Sequence, residues 1–328
     1  MKRSTWRLPS LLQSGLAAAL AGMAATPALA QEWPAKPLRM LVGSAPGGGT
    51  DAAARAVADK LGPALKTTVV VENKPGASNT LAPAEAVRAN DGHSLVMGVS
   101  TAHAIAPYLI KLSYNNERDL VPVAYVGAVP NVLVVNKELG LNTVNDLVGL
   151  IRKQPGKVNF ASSGAGSTQH IAGELFREAA HADITHVPYR GSAPALVDLM
   201  GGSIQMSFDT MSSVLPHIKA GKVKALAVAS PRRSPQLPDV PTTAEAGLKD
   251  VEMSAWYGVY MPAATPKAVQ DKVHGEVTRI VQMPDVKARL EAIGMEVQPM
   301  SQAQFQAFHN AENKRYAELI KRRDIRLD

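Results

Sequence analysis

Leu38-Arg39-Met40-Leu41-Val42, then Ala45-Pro46-Gly47-Gly48-Gly49-Thr50-Asp51, then the alanine-rich residues 52–61 form the stretch whose reading decides the fold. The first segment has the length and apolar content of a strand. The glycines and proline impose a turn, and the alanines favour a helix. The unit then recurs. Residues 67–71 read as a strand before the loop Asn73-Lys74-Pro75-Gly76-Ala77-Ser78-Asn79, residues 80–89 as a helix and 94–99 as a third strand. Strands alternating with helices of about ten residues predict a parallel sheet covered on both faces.

The rhythm restarts further on. Residues 131–136, 158–161, 184–188, 204–208 and 224–229 read as strands, and 169–180 and 194–200 as helices. A proline-rich stretch over 231–241 leads to a strand at 256–260, and two amphipathic helices, 267–282 and 301–321, close the chain. Two α/β units result, with the chain crossing between them near 126–130 and 253–257. A length of 328 residues accommodates two such domains.

Composition narrows the chemistry. The chain has no cysteine, which excludes a disulfide scaffold, a thiol nucleophile, Cys-ligated zinc or iron–sulfur centres and a lipidated cysteine. With 46% hydrophobic and 19% charged residues it can bury real cores. The net charge of +7 hints at nucleic acid, but the hint fades on inspection. Lys2, Arg3 and Arg7 precede an apolar run over 11–25, and Ala28 and Ala30 make a small-x-small cleavage pattern. This is a secretory signal over residues 1–30, cut after Ala30; the apolar run falls short of the ~20 residues of a membrane span. The remainder carries 32 basic and 28 acidic residues, a dispersed +4. Lys321-Arg322-Arg323 stand at a helix end, where they complement its dipole. Nucleic acid is therefore not an expected partner.

In open α/β sheets, ligands sit beyond the carboxyl ends of strands, where helix N-termini present free N–H groups. The loops there are poor in charge and rich in glycine and hydroxyls: 46–50, 77–80 and 162–168. The last opens a helix, and its four hydroxyls exceed the needs of one cap, which predicts oxyanion binding. Asp51 reads as a capping residue. His103 and His170, near loop ends, could touch ligand but read first as surface or capping histidines. Asp209, at a strand end, either accepts from a ligand or orients its loop; Tyr189 either walls a cleft or packs. Gly47-x-Gly49-x-x-Ala52 with Glu72 approximates a dinucleotide fingerprint, and an exported dinucleotide-dependent oxidoreductase is the alternative it raises. No phosphate loop, nucleophile elbow or zinc-binding histidine pair occurs in the sequence.

Taken in order, the chain resembles the Bug (TctC-type) extracytoplasmic solute receptors of tripartite tricarboxylate transporters. The resemblance is carried by Trp33-Pro34-Ala35-Lys36-Pro37, the 45–51 turn, Val71-Glu72-Asn73-Lys74-Pro75-Gly76-Ala77, the 160–167 loop, His186-Val187-Pro188-Tyr189-Arg190-Gly191, Ile218-Lys219-Ala220-Gly221-Lys222 and Leu237-Pro238-Asp239-Val240-Pro241-Thr242. It implies an α/β, type II-like periplasmic-binding fold of two sheets flanked by helices, with a ligand cleft between them. Residues 31–126 with 254–328 would form one domain and 127–253 the other, closing by a hinge. It further implies a periplasmic, monomeric, non-catalytic receptor without cofactor or metal. Its partners would be a small carboxylate solute and the large and small integral-membrane transporter subunits; a solute sensor serving a signalling partner is the other alternative. Implied ligand contacts are Pro46, Gly48, Ser78, Asn79 and Thr101 on one side. Those on the other are Ser163, Gly164, Ser167, Thr168, Tyr189 and Asp209. The family commonly continues with glycines after Gly76-Ala77, where this chain has Ser78-Asn79-Thr80. Side chains there are expected to reshape that side of the pocket.

Overall fold

The computed structural model describes residues 33–323, 325 and 326; the signal read over 1–30 lies outside the described residues. The chain divides after Ala35, and the body that carries the sheets begins at Lys36.

Among the described residues nine strands build its sheets: β1 (Leu38–Val42), β2 (Val69–Asn73), β3 (Ser94–Val99), β4 (Leu120–Asn136), β5 (Val158–Ser162), β6 (Ile184–Pro188), β7 (Met206–Thr210), β8 (Val223–Val228) and β9 (Ser254–Pro262). They run in the order β2-β1-β3-β9-β4-β7-β5-β6, with β8 also on β4. The expected parallel pairing holds for β2-β1-β3 and for β6-β5-β7. It fails for β4 and β9, whose pairings are all antiparallel, so the sheet is mixed. The route of the chain explains this. β4 leaves the first sheet and β9 returns to it, so the two lie side by side and run in opposite directions. Leu120 to Pro130 pair with β9, while Asn131 to Asn136 pair with β7 and β8, so one strand serves two sheets. Asn131 N–H to Met253 O, and Met253 N–H to Ala229 O, both 2.9 Å, pin the outgoing and returning segments together.

Nine α-helices accompany the strands among the described residues: α1 (Gly49–Ala64), α2 (Leu81–Ala89), α3 (Val144–Lys153), α4 (Thr168–Ala179), α5 (Ser192–Gly201), α6 (Met211–Lys219), α7 (Lys267–Val281), α8 (Pro284–Ala292) and α9 (Gln302–Arg322). β3 is buried along its whole length, as expected of a strand covered on both faces. Around the first sheet, Phe305 of α9 meets Tyr125, Trp256 and Tyr260 edge-on, with ring centroids 5.4, 6.2 and 5.5 Å away. Around the second, Phe160, Phe176 and Phe208 are wholly buried. The parallel strands aim their carboxyl ends at the starts of α1, α4, α5 and α6, and this positions the site.

Candidate functional site

β1 ends at Val42 and the chain turns through residues 43–48 into α1. Gly47 sits at φ 84°, a left-handed conformation that glycine adopts without cost. Asp51, 4% exposed, staples this turn. Its Oδ2 accepts from Gly47 N–H and Arg55 Nε, both at 3.0 Å, and its Oδ1 accepts from Asn73 Nδ2 at 3.0 Å. Asn73 also donates to Ser44 O at 3.0 Å. Burial opposes the charge on Asp51, but Arg55, Gly47 and Asn73 outweigh it and hold the carboxyl below its usual range. A depressed folded value stabilises above the unfolded pKa of ~3.9 and is lost as pH falls through the folded one. Asp51→Asn is thus expected to cost about 1–2 kcal/mol at neutral pH, with the deficit shrinking as pH falls below ~3.9. Melting temperature against pH checks this; parallel acid limbs would remove Asp51 from the account.

The second loop is held in an unusual backbone conformation. Ala77, Ser78 and Asn79 all hold left-handed φ, 44°, 53° and 67°. For residues with a Cβ this costs ~1–2 kcal/mol each. Thr80 Oγ1 donates to Ala77 O at 2.6 Å and Ser78 Oγ to Ala165 O at 2.5 Å, which holds the loop against the 163–167 turn of the second sheet.

On that second sheet, His186 and His170 stack at 4.0 Å between centroids beneath the turn. His186 Nε2 meets Ser162 Oγ at 2.7 Å, and Gly166 N–H donates to His170 Nδ1 at 3.1 Å. Burial, reinforced by His186, pushes His170 down to about 3, so it is a neutral support of the turn. Ser167 is the cap of α4: its Oγ accepts from His170 N–H at 3.2 Å.

Between the sheets lies a cavity with about 480 Å³ of atom-free space, part of it open to solvent. Four helices start at its wall. It is lined by Gly48, Gly49 and Thr50 at α1, Thr168 and Gln169 at α4, Gly191, Ser192 and Ala193 at α5, and Thr210 and Ser213 at α6. Ser44, Ala45, Asn79, Val99, Thr101, Ser163, Ala255 and Tyr257 complete it. No Lys, Arg, His, Asp or Glu stands among these lining residues. The starts of α1, α5 and α6 have no side-chain cap, so their first-turn N–H groups are left for a ligand. Each start adds a partial positive charge of roughly half a unit. The arrangement can hold an anion by amides, hydroxyls and helix ends alone.

Of the residues expected from sequence, Gly48, Asn79, Thr101, Ser163 and Thr168 line this cavity. Pro46 is exposed outside it. Ser78 Oγ donates to Ala165 O, Ser167 Oγ accepts from His170 N–H, and Gly164 N–H turns to Ser162 Oγ at 3.2 Å. Tyr189 Oη donates to Asp198 at 2.5 Å, which directs the ring to α5. Asp209, 1% exposed, lies behind the wall, where burial raises its pKa against the hydrogen bonds of Ser192, Gln169 and Thr210. Sequence reasoning missed the starts of α5 and α6, with Ser192, Thr210 and Ser213, and the wall residues Gln169 and Tyr257. The signal for the helix starts was present: α6 follows β7 directly, and three residues separate β6 from α5. Glu72, the acid of the apparent dinucleotide fingerprint, is clasped by Arg39 at 2.7 and 2.8 Å and by Lys74 at 3.5 Å.

The chain matches the TctC family, the tripartite tricarboxylate transporter family receptor, over residues 53–325. It is 36% identical to the protein BugT of Bordetella pertussis over 320 residues, 95% of this chain and 97% of that one. The solved structure of the periplasmic binding protein BugD is similar at a TM-score of 0.85 and 33% identity, covering 90% of this chain and 99% of that one. MatC from Rhodopseudomonas palustris, solved with bound malate, is similar at 0.83 and 30%, covering 88% and 100%.

Proposed function

Because this chain belongs to the receptor family of the tripartite tricarboxylate transporters, we propose that it captures a small carboxylate in the cavity between its sheets and delivers it to an integral-membrane transporter. The single observation that carries this reading is the convergence of four helix starts on one cavity lined by no ionisable side chain other than Tyr257. One carboxylate is held there by amides and hydroxyls, without a cationic clamp. The solute-bearing relative points the same way, since MatC holds malate.

Residues 31–126 with 254–328 form one domain and 127–253 the other, a partition supported by the change of partners along β4 at Asn131 and by the return at Met253. The two close on the solute by bending where β4 and β9 run between them. The protein acts as a monomeric receptor rather than a catalyst, exported to the periplasm with cleavage after Ala30 and served by large and small membrane subunits. Among the described residues no helix is long and apolar enough to cross a membrane.

A thermal-shift screen over mono-, di- and aromatic carboxylates tests the reading, because a ligand that binds only the folded state raises the melting temperature. A concentration-dependent rise with at least one carboxylate is expected. No rise with any of them, but one with cations or neutral sugars, would overturn it.

A further inference from the structure

We propose that Asp209, acting through Gln169, sets the second-sheet wall of the cavity to accept hydrogen bonds, so that the preferred solutes are carboxylates bearing a hydroxyl or ammonium group beside the carboxylate. The proposal rests on the reading of the cavity as the solute site and adds the chemical class of the solute.

The argument follows the protons. Asp209 Oδ1 accepts from Ser192 Oγ and Thr210 N–H, both at 2.7 Å, and from Gln169 Nε2 at 3.4 Å. Oδ1 receives the Thr210 N–H and so faces this cluster as an acceptor, which turns the amide nitrogen of Gln169 toward it. Gln169 Oε1 then points the other way, where it accepts from Ser163 Oγ at 2.9 Å and Thr168 Oγ1 at 3.3 Å. A hydroxyl has one proton. Ser163 and Thr168 commit theirs to Gln169, and Ser192 commits its own to Asp209. What these three oxygens keep for the cavity lined by their residues is lone pairs, Ser192 Oγ having given one of its two to Gln169 Nε2 at 3.2 Å.

Acceptors therefore stand beside donors on one wall. Thr168 and Ser192 are the first residues of α4 and α5, so their backbone N–H groups lie next to side-chain oxygens that can only accept. A 2-hydroxy or 2-amino carboxylate matches both, with the carboxylate on the amides and the neighbouring O–H or N–H on the hydroxyl oxygens. A plain carboxylate leaves those oxygens facing an apolar carbon and stripped of water, which discriminates against it. Asp209 itself does not reach the cavity. It is a positioning residue, and Gln169 is the lever through which it acts.

Calorimetry with succinate, malate and aspartate, and with adipate, 2-hydroxyadipate and 2-aminoadipate, tests this on the full mature protein. The parent is expected to bind a substituted acid at least about tenfold more tightly than its plain counterpart. Asp209→Leu, which frees Gln169 and Ser192, is expected to bring that ratio toward one by improving the plain acid. Gln169→Met, which frees Ser163 and Thr168 without leaving a buried carboxylate unpaired, is expected to do the same and decides the matter if Asp209→Leu does not fold. A merely structural role would lower both affinities and leave their ratio alone. Equal affinities in the parent, or an unchanged ratio in a folded variant, would overturn the proposal while leaving the receptor reading intact. Binding of none of the six acids would overturn the proposal, and the absence of any carboxylate response in the thermal-shift screen would overturn the receptor reading as well.

Discussion

A Gly49→Leu variant is expected to lose carboxylate binding by at least about 100-fold, equivalent to about 2.7 kcal/mol. Gly49 opens α1 and is buried at the meeting of two helix starts. A Cβ there would overlap Ser212 Oγ, which belongs to α6 on the other sheet, and would lie 2.9 Å from Tyr257 Oη. Overpacking of this kind costs ~1–3 kcal/mol, and a leucine also fills space meant for the solute. Both effects fall on the cavity wall where α1 and α6 approach each other. Calorimetry with the best carboxylate from the thermal-shift screen measures the loss, and circular dichroism verifies that the variant is folded. Parental affinity in the variant would show that occupancy does not require α1 and α6 to approach, and the closure account would fall.

Phe305→Ala is expected to destabilise the protein by about 3–5 kcal/mol, a large fraction of a typical domain's ~5–15 kcal/mol. The Phe305 side chain is 0% exposed and presses on Gly258 of β9, where an added Cβ would overlap its ring. Three aromatic rings close round it, and truncation leaves a cavity that they cannot collapse to fill. Urea unfolding reads the change as a lower midpoint with the slope preserved. A loss below about 1 kcal/mol would mean that α9 is not an integral part of the first sheet's core.

Much of this architecture was legible before any coordinates. β1 and β3 begin and end where apolar runs meet glycine, serine or proline, and β6 spans the expected 184–188. The first half of β4 was not legible, because Pro122, Gly127 and Pro130 read as breakers. In the fold they sit at register shifts and at the passage between sheets, where a missing ladder bond is tolerated. The helix α3 was missed as well, although Thr143 and Asp146 form its capping box. That signal is weaker than the usual Ser/Thr-x-x-Glu form. For the site, glycine- and hydroxyl-rich loops marked α1 and α4, whereas β7 runs into α6 with no loop between them. Asp209 shows the remaining limit. Its residue type and strand-end position could be read, but alternation along β7 does not say which face is the cleft.

The passage of β4 through both sheets also orders events in time. β9 joins β3 and β4 in the first sheet, so Val96 must find Tyr260 and Leu120 must find Pro262. Every strand of the second sheet is synthesised before β9 exists. Its contacts close shorter loops, and shorter loops close at lower entropic cost. A chain emerging from its N-terminus therefore completes the later-encoded sheet first. The earlier-encoded one waits, with β3 unpaired on one side, until the last quarter of the polypeptide arrives. The strand that serves both sheets also makes the first of them the last to be completed.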